Sequence, residues 1–399
     1  MKWRQCQLGD ALTLQRGFDL PNGSRSAGSI PVVSSAGRTG THDVAKVSGP
    51  GVVIGRYGTL GQVHYVTEDF WPLNTTLWVK DFKGNLPLFC AYLLRTLAIA
   101  ETSGAAAVPG VNRNVLHGLP INLPPLETQR RIAAILGAYD DLIEINFRRL
   151  AILEEMARGL FEEWFVRFRF PGYESVPMLE QSFGRFPSGW RCTGVAEAFT
   201  LTRGRSYRSV DLANEGGMPF VNLKCMERDG GFRSTGIKRY TGDFKQTHVV
   251  TRGDMVMAVT DMTQERRIVG RTGRIPLLDE PQAVISMDLV KVCPADGMNQ
   301  TFLYCWLRNS DFGPKAAQHA NGANVLHLSP KAIVDLPITI PPFNVQHAFG
   351  EVAEPLFTLA EVAAVANDRL AASRDLLLPR LISGQLSIDG AERELEEAA

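Results

Sequence analysis

The chain reads as an α+β protein: two pseudo-repeated globular domains joined by two long helices that form an antiparallel coiled coil. Three observations predict this. The stretch Leu119–Gln129 (LPINLPPLETQ) returns 217 residues later as Leu336–Gln346 (LPITIPPFNVQ). Trp3-Arg4 followed by Thr13-Leu14-Gln15-Arg16-Gly17 returns at an offset of 187 as Trp190-Arg191 and Thr200-Leu201-Thr202-Arg203-Gly204. Each copy of the proline motif opens a long run whose apolar residues alternate three and four apart, as in a coiled-coil seam. The offsets differ by 30, so the second domain carries about thirty extra residues.

The first domain, residues 1–123, is predicted to be β-rich. Gly51–Val66 reads as two short strands around Gly55 and Gly58–Gly61, and Asn74–Val79 as another. Leu86–Leu97 reads as a helix, and Leu116–Leu123 as an apolar stretch stopped by Pro124-Pro125. The first spacer helix follows in residues 124–170. Its predicted seam is Ile132, Ile135, Tyr139 and Leu142, then Leu150, Leu153, Ala157, Leu160 and Trp164. Asn146 lies four residues from both Leu142 and Leu150, which predicts a stutter with a polar residue that sets register. From Glu127 to Phe165 this helix is roughly 58 Å long at about 1.5 Å per residue. Pro171-Gly172 ends it and begins a linker, residues 171–186.

The second domain, residues 187–340, has strand-like runs at Pro219–Leu223, His248–Val250, Asp254–Val259 and Ala283–Val292. Phe302–Asn309 (FLYCWLRN) repeats the first domain's helix Phe89–Thr96 (FCAYLLRT). The second spacer helix, residues 341–385, has a predicted seam of Phe349, Val352, Leu356, Leu359, Ala363, Ala366, Leu370, Ser373 and Leu377, with a kink or restart at Pro355. A helix near 40 residues needs a partner along its seam, and two seams of matching length in one chain predict that each packs on the other. Residues 386–399 read as a disordered acidic tail.

Composition narrows the function classes. The 399 residues suffice for two or three domains with real cores. There is no run of about 18 apolar residues and no signal-peptide core, so neither a membrane span nor export is predicted. Six cysteines (Cys6, Cys90, Cys192, Cys225, Cys293, Cys305) form no C-x-x-C pair, and seven histidines show no ligand spacing. This predicts free thiols in a reducing cytoplasm and no bound metal. Net charge is zero but unevenly spread. Residues 1–125 hold 11 basic and 7 acidic side chains, and residues 187–340 hold 19 and 15, so each stretch is +4. Residues 341–399 hold 4 and 10, so −6. Two mildly positive domains permit contact with nucleic acid.

The order of these features resembles a known family, the specificity subunits of type I restriction–modification systems. The resemblance rests on Trp3 with Leu8-Gly9-Asp10, on the repeated L-P-I-x-[LI]-P-P motif, on Phe186–Arg191 (FPSGWR) reopening the pattern, and on the two long helices. It covers almost the whole chain. The second copy departs by reading Thr193-Gly194-Val195 where the first has Leu8-Gly9-Asp10. The resemblance implies that two target-recognition domains each read half of a bipartite site in double-stranded DNA. It implies partners too: two methylation subunits and the restriction (motor–nuclease) subunits. The chain itself would be non-catalytic and bind no cofactor, with S-adenosylmethionine, ATP and Mg belonging to those partner subunits.

Residue by residue, the chemistry of an enzyme is missing. An amino-methyltransferase needs a polar residue ahead of Pro-Pro-aromatic, and Ile340-Pro341-Pro342-Phe343 has an apolar one. No G-x-x-x-x-G-K-[ST] loop occurs. Lone histidines such as His42 and His64 read as structural. The candidates for DNA contact are loops mixing Gly, Ser, Arg and Tyr: Ser34, Ser35, Arg38, Arg56 and Tyr57 in the first domain. In the second they are Arg203, Arg205, Tyr207, Arg208, Lys224, Arg266 and Arg267. Hydroxyls and amides can position phosphate, and Arg can read guanine, although any one of these arginines also fits a solvated surface charge. A stand-alone DNA methyltransferase or nuclease, and a coiled-coil scaffold without a DNA role, remain the alternatives.

Overall fold

The computed structural model describes residues 3–102, 110–181, 184–391 and 393. The chain forms two compact units. One comprises Met1–Ile145 with Asn367–Ala399, the other Asn146–Ala366. Each unit therefore holds one globular domain together with part of each long helix, rather than leaving the helices as a separate spacer body.

In the first unit, a four-stranded antiparallel sheet runs in the order Thr13–Arg16, Thr76–Asp81, Gly51–Gly55, Val63–Val66. A smaller sheet joins Gly37–His42, Ile30–Ser34 and Trp71–Pro72. Helix α1 (Pro87–Thr96) starts with proline at its first turn and buries Phe89, Tyr92, Leu93 and Leu94. The second unit repeats the four-stranded sheet as Phe199–Arg203, Leu289–Pro294, Met255–Ala258, Thr272–Arg274. Its second sheet has five strands: Leu212–Ala213, Lys238–Tyr240, Met218–Val221, Gln282–Ile285, Val249–Thr251. Most of its extra length is spent here, between Gly204 and Met255. The run expected as one strand over Ala283–Val292 is two strands in different sheets, because Ser286 turns the chain: its hydroxyl and carbonyl accept from the N–H groups of Asp288 (3.3 Å) and Leu289 (3.0 Å).

The repeated motifs meet each other within each unit. Arg4–Gln7 pairs antiparallel with Pro120–Leu123, and Arg191–Gly194 with Pro337–Ile340. The N–H of Leu8 donates to Leu119 at 2.8 Å, and that of Val195 to Leu336 at 2.9 Å. Val195 thus stands in for Leu8 and is as deeply buried, so the turn survives the departure in sequence. The repeated glutamine has a repeated task. Gln129 donates to the Pro124 carbonyl (3.0 Å) and accepts from Leu86 N–H (3.0 Å). Gln346 donates to the Pro341 carbonyl (2.8 Å) and accepts from Asn299 N–H (3.0 Å). Each fastens the start of a long helix to the start of a short one, α1 in the first unit and α3 (Gln300–Asn309) in the second. Both glutamines are buried, where unpaired amide groups are costly.

The long helices are α2 (Leu126–Phe161), which ends in a π-turn over Glu162–Val166, and α4 (Phe343–Ser383). In the first unit Ile132, Ile135, Leu136 and Tyr139 of α2 share a core with Leu377, Leu378, Leu381 and Ile382 of α4. Asp140 accepts from Arg374 (2.6 Å) and from the Tyr92 hydroxyl (2.6 Å). In the second unit Phe161 and Trp164 pack with Phe349 and Ala353. The start of one helix meets the end of the other, so the pair is antiparallel.

The seam differs in register from the expectation. Along α4 the positions turned inward are Phe349, Ala353, Leu356, Ala360, Ala363, Asn367, Leu370, Arg374 and Leu377, spaced four and three; Val352 (50% exposed), Leu359 (56%) and Ser373 face outward, and Ala366 is half-buried beside the seam. Along α2 Leu142 is likewise exposed and Ile143 takes its place. Tyr139, Ile143, Asn146, Leu150, Leu153 and Ala157 then alternate without a break, so the stutter predicted at Asn146 is absent. Leu160 is half-buried beside buried Phe161. Asn146 and Asn367 are both buried, and Asn367 donates to the Ile143 carbonyl at 3.3 Å. α4 runs through Pro355 without ending. The described part of the tail is ordered: Leu386 and Ile388 pack on the first core, Ala391 is buried, and Asp389 pairs with Arg131 at 2.6 Å. No helix among the described residues is long and apolar enough to cross a membrane.

Candidate nucleic-acid interface

In both units the same loop follows the same strand. Gly51–Gly55 and Met255–Ala258 each lead into a loop closed by a left-handed glycine, Gly61 (φ 74) or Gly270 (φ 75). The N–H of each glycine returns to the strand's last carbonyl, Gly55 at 2.9 Å and Ala258 at 2.8 Å. A second stretch is tied to the loop's first residue: Val111 N–H donates to the Arg56 carbonyl (3.0 Å), and Leu328 N–H to the Val259 carbonyl (2.8 Å). The scaffold is common and the loops are not. Residues 56–60 make a short turn, whereas residues 259–269 make a longer one.

The first loop carries Arg56 and Tyr57. Both their N–H groups donate to the Thr75 carbonyl, at 3.0 and 3.1 Å. The Ser35 hydroxyl donates to the same carbonyl at 2.6 Å, so three of the candidates converge there. The Arg56 guanidinium lies 4.4 Å from the Tyr57 ring centre, a cation–π contact. The Tyr57 ring lies against Gly110, where a Cβ would come within 2.4 Å of it. Ser34 builds the adjacent turn: its hydroxyl donates to the Gly37 carbonyl and accepts from Ala36 N–H. Arg38 lies apart from this cluster, ion-paired to Glu68. His42 accepts from Ser26 N–H (3.1 Å) and His64 meets the Ser35 carbonyl (3.2 Å), so both fasten loops.

The longer loop is organised by a residue the sequence did not flag. Asp261 is fully buried. Its carboxylate accepts from the N–H groups of Thr263 (2.9 Å), Ile268 (2.9 Å) and Val269 (3.3 Å) and from the Thr263 hydroxyl (3.0 Å). Burial works to raise its pKa, but these donors outweigh it and hold the carboxyl below its ordinary 3.8. The only trace in sequence is an Asp two residues ahead of a turn N–H. The loop presents Met262, 65% exposed, and Gln264, which donates to the Ala323 carbonyl at 3.0 Å. Arg266 donates to the carbonyls of Ala317 (3.1 Å) and Gln318 (3.2 Å), and Arg267 is ion-paired to Asp229.

The remaining candidates divide. Arg203 ends its strand, exposed. Lys224 is exposed in a turn capped by Asn222, and its carbonyl accepts from Arg233 at 3.0 Å. Arg205, Tyr207 and Arg208 are brought together. With Asp211, Tyr240, Thr241 and Asp243 they line a concavity of about 450 Å³. Tyr207 packs edge-on against Phe220, which stacks on Tyr240 at 4.9 Å. Among the described residues no group of three or more His, Cys, Asp or Glu could hold a metal ion.

Residues 1–155 match the family described as the type I restriction modification DNA specificity domain. The type I restriction enzyme MjaVIII specificity subunit of Methanocaldococcus jannaschii is 21% identical over 315 residues, 76% of this chain and 71% of that one. The type I restriction enzyme HindI specificity subunit of Haemophilus influenzae is 22% identical over 388 residues, 82% and 84% of the two chains. The crystal structure of a type I restriction–modification S subunit from M. genitalium superposes with a TM-score of 0.63 at 14% identity, covering 96% of each chain. That likeness establishes the fold.

Proposed function

We propose that this chain, which belongs to the specificity subunits of type I restriction–modification systems, reads a DNA site in two parts, one with each unit. It is the sequence-recognising member of such a complex and not a catalytic one. One observation carries the two-part reading. The same sheet, glycine-closed loop and clamped second stretch occur in both units, yet the side chains they present differ: Arg56 and Tyr57 in one, Met262 and Gln264 in the other. One scaffold with two sets of loops suits two different half-sites.

On this reading the partners are two methylation subunits and the restriction subunits, and S-adenosylmethionine, ATP and Mg reside in them. The outward stripe on the long helices supports such docking. Leu142, Ile145, Ile152 and Met156 on α2, and Val352, Leu359, Val362 and Leu376 on α4, are all exposed at heptad-like spacing. The setting is the cytoplasm, where the DNA is. The test is a map of methylated positions in DNA exposed to the assembled complex. Replacing residues 1–123 with the matching stretch of a relative is expected to change one half of the methylated motif and leave the other intact. A change in both halves, or in neither, would refute the two-reader assignment.

A further inference from the structure

We infer that the concavity beside Arg205 is a guanine-reading subsite of the second unit, with Arg205 as the residue that discriminates the base. This rests on the DNA-recognition role proposed above and adds a residue and a ligand to it.

Gly17 and Gly204 are pinned in the same way: a Cβ on either would lie 2.1 Å from a carbonyl oxygen, Leu73 or Ser286. The next residue is pinned too. Phe18 N–H donates to Pro72 at 2.8 Å, and Arg205 N–H to Ile285 at 2.7 Å. One backbone position therefore carries two unlike side chains. Phe18 is spent on packing, with its ring near Trp71 and Trp78. Arg205 faces the concavity. A scaffold position held fixed while its side chain changes from apolar to forked cation is where two readers of different sequences should diverge.

The state of the guanidinium points the same way. A reading arginine must be oriented in advance and still have donors to give. Arg38 and Arg267 are committed to carboxylates and Arg266 to carbonyls. Arg208 shares Asp211, and Arg203 is exposed. Among the described residues the Arg205 guanidinium is held at one point only, its Nε donating to the Tyr240 hydroxyl at 3.4 Å. That hydroxyl is fixed in turn by donating to the Asp243 carbonyl at 3.1 Å. Neither terminal nitrogen of Arg205 has a hydrogen-bond partner among the described residues. Two parallel donors match the O6 and N7 acceptors of guanine, the pairing that arginine makes best. Tyr207 adds an aromatic wall, and Asp243 and Asp211 make the site too nearly neutral to be a simple phosphate trap.

The experiment uses the assembled complex with the full chain. Methylated motifs are mapped for the wild type, Arg205→Ala, Arg205→Lys and Tyr240→Phe. Both Arg205 variants are expected to relax one G·C position of the second half-site, with discrimination falling roughly 10- to 100-fold and the first half-site unchanged. Tyr240→Phe should relax the same position less. Binding is then measured with 7-deazaguanine, which lacks the N7 acceptor, at each guanine of the second half-site. One such position should weaken the wild type and have no further effect on Arg205→Ala. A second half-site without a G·C pair overturns the inference, as does an Arg205→Ala motif of unchanged stringency. If Arg205→Ala fails to fold, the 7-deazaguanine series on the wild type decides, and indifference at every guanine overturns the inference. Saturable binding of free guanosine monophosphate, with no effect of Arg205 on the motif, would assign the site to a free nucleotide and refute the DNA assignment. A wild-type complex that methylates no two-part motif would sink the recognition role itself, a result distinct from all of these.

Discussion

At the scale of single residues, the repeat preserves what the backbone cannot do without. Gly204 approaches the Ser286 carbonyl so closely that a methyl group would collide with it. Gly204→Ala should therefore destabilise the second unit by about 2 kcal/mol or more, seen as a separate early unfolding step in a denaturant melt, while Gly17→Ala does the same to the first. Asp261 makes a pH prediction. Its carboxyl lies below the ordinary 3.8 because backbone donors overcome its burial. The sign follows: its contribution is full above the unfolded value and is lost as pH falls through the lower folded value. Asp261→Asn should remove that acid-sensitive part of the stability, costing roughly 1–3 kcal/mol at neutral pH. A variant with the same melting curve at pH 7 and the same acid limb would show that the donors do not depend on this carboxylate.

At the scale of elements, what the sequence made legible follows physical rules, and so does what it hid. The repeated proline motif correctly marked a strand followed by a helix, because Ile121, Leu123, Ile338 and Ile340 are core residues and the prolines stop the strand. The α4 seam was half legible. Phe349, Leu356, Ala363, Leu370 and Leu377 turn inward as expected, but Ala353, Ala360, Asn367 and Arg374 occupy the other inward set. A pattern search for bulk selects their larger neighbours Val352 and Leu359, which face outward. Small and polar residues sit in the seam where the facing helix or an ion pair such as Asp140–Arg374 fills the space. The DNA-contact candidates were legible as loops but not as states, since pairing of Arg38 with Glu68 or Arg267 with Asp229 depends on chain segments far apart in sequence. The register of the seam separates two substitutions. Leu153→Asp places a charge in the seam and should cost roughly 2–4 kcal/mol, losing methylation of both half-sites. Leu359→Asp should change stability by no more than about 0.5 kcal/mol yet weaken docking of a methylation subunit. Equal melting losses for the two would contradict this register.

At the scale of the whole molecule, the proposed reading of DNA in two parts implies a second role, setting the distance between the parts that are read. The two +4 domains imply release of counterions on binding, so affinity of the complex should fall about tenfold or more between roughly 50 and 200 mM salt, measured by titration on one DNA duplex. The proposal gives that distance role to the helices, each of which passes from one unit into the other. Because α2 keeps its four–three alternation through Asn146, adding four residues there would turn every later seam position by about 40° and create a stutter that locally unwinds the pair. An insertion of seven residues preserves the phase. Made in both helices at facing positions, it should lengthen the pair by about 10 Å at about 1.5 Å per residue, roughly three base pairs at about 3.4 Å each. The bases recognised in each half-site should stay the same while the unmethylated gap between them grows by that amount. The four-residue insertion serves as the contrast and should cost stability and methylation together. An active seven-residue variant with an unchanged gap would remove the measuring role from the helices and leave them as a surface on which the other subunits assemble.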